Sequence, residues 1–194
     1  LVTALVEVNP DVRLYSTGGT YRHLAEVLGR AGAARHLQQV SDYTGQPETQ
    51  GGLVKTLDFK IYLGLLTETY NDAHQADLAR TGAVPLDMVV CNLYPFTETV
   101  SRPGVTEAEA VEEIDIGGVT LLRAAAKNFE SVTVVCDPAD YPEVLVALAA
   151  GTQTAEERRR LALKAFRHTA DYDAAIAAAM AEWLNREDAK GREE

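Results

Sequence analysis

Two cysteines, two methionines and one tryptophan are all that 194 residues hold of those types. So few cysteines exclude a disulfide-stapled scaffold. Cys91 and Cys136 lie in apolar, strand-like runs and read as buried thiols of a reducing, cytoplasmic compartment. Four scattered histidines show no metal-ligand spacing with them, so no metal is expected. Positive charge is also short. Lys and Arg number 18 against 29 Asp and Glu, for a formal net charge of -11 and a pI of about 4.8. An acidic chain is a poor non-specific partner for nucleic acid or an anionic membrane. Long apolar runs are missing too: the longest, such as Val84 to Val90, fall far short of a bilayer span. No leader pattern opens the chain. Leu1 stands where an initiator methionine would, so a preceding segment is expected.

What is present suffices for one substantial core, with 46% hydrophobic residues. Leu1 to Val8 reads as the end of a helix, stopped by Asn9-Pro10-Asp11, and Val12 to Tyr15 as a short strand. Helical spacing of Leu24, Val27 and Leu28 predicts a helix from Tyr21 to Arg30, closed by Gly29 or Gly32. Ser41 to Lys55 reads as a long loop, and Ile61 to Leu66 fits a strand or a helix equally. Ala73 to Arg80 is helical. Met88 to Leu93 and Val132 to Cys136 are continuous apolar runs, as strands buried on both faces would be. Helices are expected over Thr106 to Ile114, Val119 to Lys127 and Pro142 to Ala150. This alternation predicts an α/β, Rossmann-like fold with a mostly parallel sheet and helices on both faces. From about residue 152 the chain turns Ala-rich and helical, so one domain is expected over 1–184. The charged stretch 185–194 reads as a disordered tail.

Three runs carry chemistry. Ser16-Thr17-Gly18-Gly19-Thr20 joins a strand to a helix, where glycines bare backbone amides, hydroxyls add donors and the helix start adds partial positive charge. The pattern suits a phosphate cradle and equally a plain turn capped by Thr20. Tyr94-Pro95 ends an apolar strand, with Tyr94 held extended by the proline; a buried, hydrogen-bonded tyrosine is the bland alternative. Asp115 sits between Ile114 and Ile116, ahead of Gly117-Gly118. An acid there needs a partner or a raised pKa, and helix capping is as good an account as function. Lys127 ends the following helix, where its charge suits the dipole. A full helix from Gly118 to Lys127 separates its ends by about 14 Å. Asp115 and Lys127 can then share a substrate only if it spans the gap, the glycines fold back, or a second subunit supplies one of them.

Taken together and in order, these runs resemble the IMP cyclohydrolase domain of the bifunctional purine-biosynthesis enzyme. The carriers are STGGT at 16–20, Ser41-Asp42-Tyr43-Thr44-Gly45 with Pro47-Glu48, Val54-Lys55-Thr56-Leu57, Cys91 to Phe96, Asp115 to Asn128, and Lys164-Ala165-Phe166 with His168-Thr169-Ala170 and Tyr172-Asp173. The resemblance runs from about Leu1 to Trp183. It implies a fold similar to methylglyoxal synthase and dehydrative closure of the formylated aminoimidazole carboxamide ribotide (FAICAR) to IMP, without a cofactor. It further implies Lys55, Tyr94, Asp115 and Lys127 as the catalytic group. Ser16, Thr17, Gly18, Gly19 and Thr20 would hold the phosphate, with Thr56, Asn92, Ile116 and Gly117 as further substrate contacts. A homodimer is implied, served by a separate formylating enzyme if no formyltransferase domain is attached. The sequence departs from the family at Leu53, in place of an arginine, at Asp58-Phe59, in place of His-Pro, and at Tyr62, in place of a second histidine. Two rival readings follow: a nucleotide-sensing domain without turnover, and a methylglyoxal-synthase-like lyase.

Overall fold

A strand, a glycine turn and a helix follow one another where the first of two parallel sheets begins. The computed structural model describes residues 1–47, 49 and 54–190, with side chains up to 185. After helix α1 (Val2–Val8), strand β1 (Leu14–Ser16) runs into helix α2 (Gly18–His36), which returns the chain to strand β2 (Leu37–Gln39). The two strands pair in parallel, with Leu14 opposite Leu37 and Ser16 opposite Gln39. Helix α2 breaks at Gly29 (φ 66°) and resumes as far as His36, beyond the end expected at Gly29 or Gly32. The buried His36 ring meets the Val12 carbonyl through Nδ1 at 3.1 Å, which ties the helix end to the segment before β1.

A short helix α3 (Val40–Thr44) occupies the start of the expected loop and ends at Gly45, whose φ is 80°. The ambiguous run at 61–66 is helix α4 (Phe59–Leu66). Its start explains the choice, because Asp58 Oδ1 accepts the Lys60 amide at 2.7 Å and so caps an orphan donor. Helix α5 (Asp72–Thr81) is capped likewise by Asn71. Strand β3 (Met88–Val90) pairs in parallel with β4 (Thr133–Val135). Between them come α6 (Phe96–Val100), α7 (Glu107–Glu112) and α8 (Gly117–Lys127). Thr106 and Glu109 form a capping box at α7, at the start read from sequence. A 3-10 turn at Pro138–Asp140 leads to α9 (Tyr141–Ala150), and α10 (Ala155–Lys190) closes the chain.

The parallel α/β reading holds, in the form of two two-stranded parallel sheets among the described residues. All three residues of β4 are buried, as expected. The expectation for β3 needs correction: its ladder ends at Val90, which is 38% exposed. Each strand here has one paired edge, and β4 alone lies beneath both α8 and α10.

Two apolar clusters fill the interior. One joins Leu65, Leu122, Ala125, Ala126, Val134 and Val135 to Leu161 and Ala165 of α10. The other joins Phe96, Ala110 and Tyr172, flanked by Ile176 and Trp183. Phe96 is fully buried, worth about 1.5–3 kcal/mol of transfer energy, and meets the Tyr172 ring edge-on at 6.2 Å. Helix α10 therefore straps both clusters. It continues through Lys190, past residue 184 where the sequence reading starts a disordered tail. Residues 191–194 of that tail lie outside the described residues.

Candidate active site at two helix starts

Two helix N-termini meet one dipeptide. Thr17, in extended conformation, is the N-cap position of α2, and Gly18 opens the helix with φ 50°. A side chain there would be strained by the positive φ. Its Cβ would also stand 3.3 Å from Lys55 Nζ. The missing side chain thus makes room for an ammonium beside the uncapped amides of α2. Thr17, Ser41 and Lys55 line one cleft there. A cation, hydroxyls and a helix start converging on one point are the components of an anion site.

The next residue, Thr56, reaches the second helix start. Its Oγ1 lies 3.0 Å from where a Gly117 Cβ would be. Gly118 is tighter still, since a Cβ would fall 2.5 Å from Asp115 Oδ2 and 2.9 Å from Leu93 Cδ2. That crowding exists because Asp115 folds back on its own helix, with Oδ1 accepting the Gly118 amide at 2.7 Å. The partner that an acid in this setting requires is therefore a backbone N–H. The turn is held from outside by Tyr172, whose hydroxyl accepts from the Asp115 amide (2.9 Å) and donates to the Glu113 carbonyl (2.8 Å).

The structure brings Ser16, Thr17, Gly18, Lys55, Thr56, Asp115, Gly117 and Leu93 into one connected region. Ser16 is buried at the end of β1, while Gly19 and Thr20 are exposed on the first turn of α2. Ile116 is 58% exposed at the start of α8. Tyr94 is 52% exposed beyond β3, so the buried-tyrosine alternative does not apply and its phenol is open to a ligand. Asn92 is exposed and donates through Nδ2 to the Tyr141 hydroxyl at 3.4 Å. Lys127 is not brought in. It is exposed at the last position of α8, about 15 Å along the axis from Gly117.

Three positions at which the sequence departs from its resembled family can be placed. Asp58 faces the N-terminus of α4, which offsets its charge. Phe59 is exposed. Tyr62 donates to Thr120 Oγ1 at 2.6 Å and so ties α4 to α8, with burial pushing its phenol above the ordinary value. Leu53, Gly51, Gly52 and Glu48 lie outside the described residues.

A second cavity, of about 430 Å3, opens at the carboxyl ends of β3 and β4 against α10. Asn92 and Leu93 border it, with Asp137, Lys164, Arg167 and His168 opposite. Lys164 donates to Asp137 at 2.6 Å and to Asp140 at 2.7 Å. Those bonds raise the Lys164 ammonium above its usual value, and they hold the Asp137 carboxyl below the usual carboxylate range. Sequence reasoning gave neither this triad nor Tyr172 a role. Asp137 ahead of Pro138 was a readable cap signal, but nothing local shows that Lys164, on another helix, answers it. Both cysteines are free thiols. Burial first and the Asp115 charge second push Cys91 up to about 12, which leaves it protonated and unreactive at neutral pH. Among the described residues no cluster has the donors to hold a metal ion, and no helix is long and apolar enough to cross a membrane.

Two family models divide the chain. The MGS-like domain matches residues 1–120, and the AICARFT/IMPCHase bienzyme matches residues 125–193. The bifunctional purine biosynthesis protein PurH of Chloroflexus aurantiacus is 54% identical over 170 residues, covering 88% of this chain and 32% of that protein. Its counterpart in Halalkalibacterium halodurans is 51% identical over 175 residues, covering 90% and 33%. The chain thus spans about a third of the length of these curated relatives. Among solved structures, the crystal structure of ForH superimposes with a TM-score of 0.76 at 35% identity, over 91% of this chain and 87% of that one. With more than half of its length matched by that first model, and with the glycine-turn architecture described above, the chain belongs to the MGS-like domain family.

Proposed function

We propose that this chain is an IMP cyclohydrolase, converting FAICAR to IMP and water in purine synthesis in the cytoplasm. The observation that carries the reading is the Lys55-Thr56 dipeptide, with one side chain at each of two helix starts. Likeness to the bifunctional purine biosynthesis proteins supplies the substrate. The 5′-phosphate rests on the first amides of α2, with Thr17 donating a hydrogen bond and Lys55 neutralising charge. The heterocycle then lies toward Thr56, Asp115 and Tyr94.

Ring closure forms one C–N bond, between the carboxamide nitrogen and the formyl carbon. One proton leaves the carboxamide nitrogen and another the formamide nitrogen. Both end on the formyl oxygen, which departs as water. The carboxamide is a poor nucleophile, so a base at its N–H is needed, and Asp115 takes that role. Charge developing on the formyl oxygen is met by Lys55, Tyr94 and the amide of Gly117. No cofactor enters the balance. A homodimer is part of the reading, and a separate formylating enzyme provides the substrate where no second domain is attached.

One observation favours a second reading, a domain that binds purine nucleotide without turnover: Lys127 stands at the far, exposed end of α8. Incubation of the chain with FAICAR, with IMP followed by absorbance, decides between them. Turnover that drops by roughly 100-fold or more in Lys55→Met supports the cyclohydrolase. IMP binding without turnover selects the second reading, and absence of both overturns the two together.

A further inference from the structure

Tyr62 has no part in the chemistry assigned above, yet its phenol joins two helices whose starts border the site. Helix α4 begins shortly after Thr56, and helix α8 begins at Gly117, the residue that Thr56 meets. Hydrogen bonds tie the two helices at both ends. At the far end, Asn128 Nδ2 donates to the Leu65 and Thr67 carbonyls at 2.8 and 3.0 Å. At the site end, the Tyr62 hydroxyl donates to Thr120 Oγ1 at 2.6 Å. Thr120 Oγ1 itself lies 3.0 Å from both the Ile116 and the Gly117 carbonyls, so its own proton holds the turn that opens α8. Between the two ends the helices share apolar packing, with Ile61, Leu65, Leu122 and Ala125 in one cluster. Such packing is non-directional, whereas a short hydrogen bond fixes one distance. Tyr62 stands where the resembled family carries a histidine. An imidazole on the same backbone is too short to reach Thr120, so the tie is a property of this chain.

We propose that Tyr62 is a positioning residue for ring closure: through Thr120 it sets where the turn of Asp115 and Gly117 stands relative to Lys55 and Thr56, and so how the two reacting groups of one substrate line up. The inference rests on the cyclohydrolase reading. In that reading the phosphate is gripped by α2 and Lys55, while the base and an oxyanion donor, Asp115 and the Gly117 amide, belong to the start of α8. A bound substrate therefore bridges two segments that are distant in sequence. Closure needs the carboxamide nitrogen within about 3–3.5 Å of the formyl carbon, and a misplacement of about 1 Å costs about 100-fold in rate. It costs far less in binding, because the phosphate contacts do not pass through α8. A second phenol acts on the same turn: Tyr172 holds it from α10 through the Asp115 amide and the Glu113 carbonyl. Tyr172 thus fixes the chain before the helix, and Tyr62 fixes its first turn. The Tyr62 phenol is partly buried against the core, and that burial holds it above the ordinary value, so it stays a donor at neutral pH.

A double-mutant cycle tests it, read by single-turnover closure of FAICAR at saturating enzyme and by calorimetric binding of IMP. Tyr62→Phe removes the donor, Thr120→Val removes the acceptor, and Thr120→Ser keeps the hydroxyl. Tyr62→Phe and Thr120→Val should each slow closure by about 10- to 100-fold, with the dissociation constant for IMP unchanged within about twofold. Thr120→Ser should close the ring at the wild-type rate. The double variant should be no slower than the slower single one, since both remove one shared bond. Far-ultraviolet circular dichroism and thermal melts check that each variant is folded, and Thr120→Val alone decides the point if Tyr62→Phe is not. A merely structural tie lowers the melt and leaves the closure rate untouched; that result overturns the proposal. Losses that multiply in the double variant overturn it too, as does a loss of IMP affinity as large as the loss of rate. Wild type that turns over no FAICAR overturns the cyclohydrolase reading and this inference with it, whereas active wild type matched by Tyr62→Phe overturns this inference alone.

Discussion

Asp115 offers a clean separation of structure from chemistry, because the geometry gives it a cap and the proposed reaction gives it a proton. Its Oδ1 accepts the Gly118 amide at 2.7 Å. Asn presents the same acceptor at the same place, and Asn and Asp cap about equally well. Asp115→Asn should therefore cost less than about 0.5 kcal/mol, and Asp115→Ala about 1 kcal/mol. For a chain of this length each kcal/mol moves the midpoint by about 2–4 °C, so the two variants should melt within about 2 °C and about 2–4 °C below wild type. Their activities should not follow that order. Neither can take a proton from the carboxamide nitrogen, and both should lose about 10²–10⁴ in kcat. The assay pairs thermal melts with FAICAR turnover at saturating substrate. An Asp115→Asn variant within a few-fold of wild type would reduce Asp115 to a helix cap and refute the proposed base. A melt lower for Asn than for Ala would refute the capping argument itself.

Other consequences are as specific. Gly118→Ala drives a Cβ to 2.5 Å from Asp115 Oδ2; overpacking of this kind costs about 1–3 kcal/mol, and a midpoint unchanged in urea would show the contact to be soft. Tyr172→Phe leaves the Asp115 amide and the Glu113 carbonyl without their shared hydroxyl, a loss of about 1–3 kcal/mol by denaturation. Lys164→Met tests the triad through pH. Asp137, held below its usual range, contributes fully above the unfolded carboxylate value of about 3.9 and loses its share as pH falls through the folded one. Lys164, held above its usual value, contributes fully below about 10.4 and loses its share as pH rises through the folded one. The advantage of wild type over Lys164→Met in urea midpoint should thus be flat between about pH 5 and 9 and shrink at both ends; a pH-independent advantage contradicts the ion-pair account. Lys127→Ala, exposed at the end of α8, should leave the melt unchanged, and full activity in it would remove Lys127 from the catalytic group.

Local rules made much of this chain legible in one dimension. Glycine pairs after apolar runs marked the starts of α2 and α8, and Thr106 with Glu109 marked that of α7, because backbone freedom and caps act within a few residues. Period alone failed at Ile61 to Leu66, where Asp58 as a cap decided for a helix. It failed also at Val90, whose exposure depends on which element lies above β3 rather than on its own hydrophobicity. Spacing of Asp115 from Lys127 already implied the separation that α8 imposes.

By itself the sequence determined the alternation of strands and helices, the glycine turns and the residue types available for chemistry. All of these are set by φ/ψ preference and hydrophobic period over short range. Only the tertiary structure decided that Lys55 lies against Gly18, that Thr56 lies against Gly117 and that Tyr172 holds the turn at Asp115. These contacts join residues 37 to 61 positions apart. No local preference encodes such a contact; it exists because two helix starts and one strap helix must pack around the same apolar core.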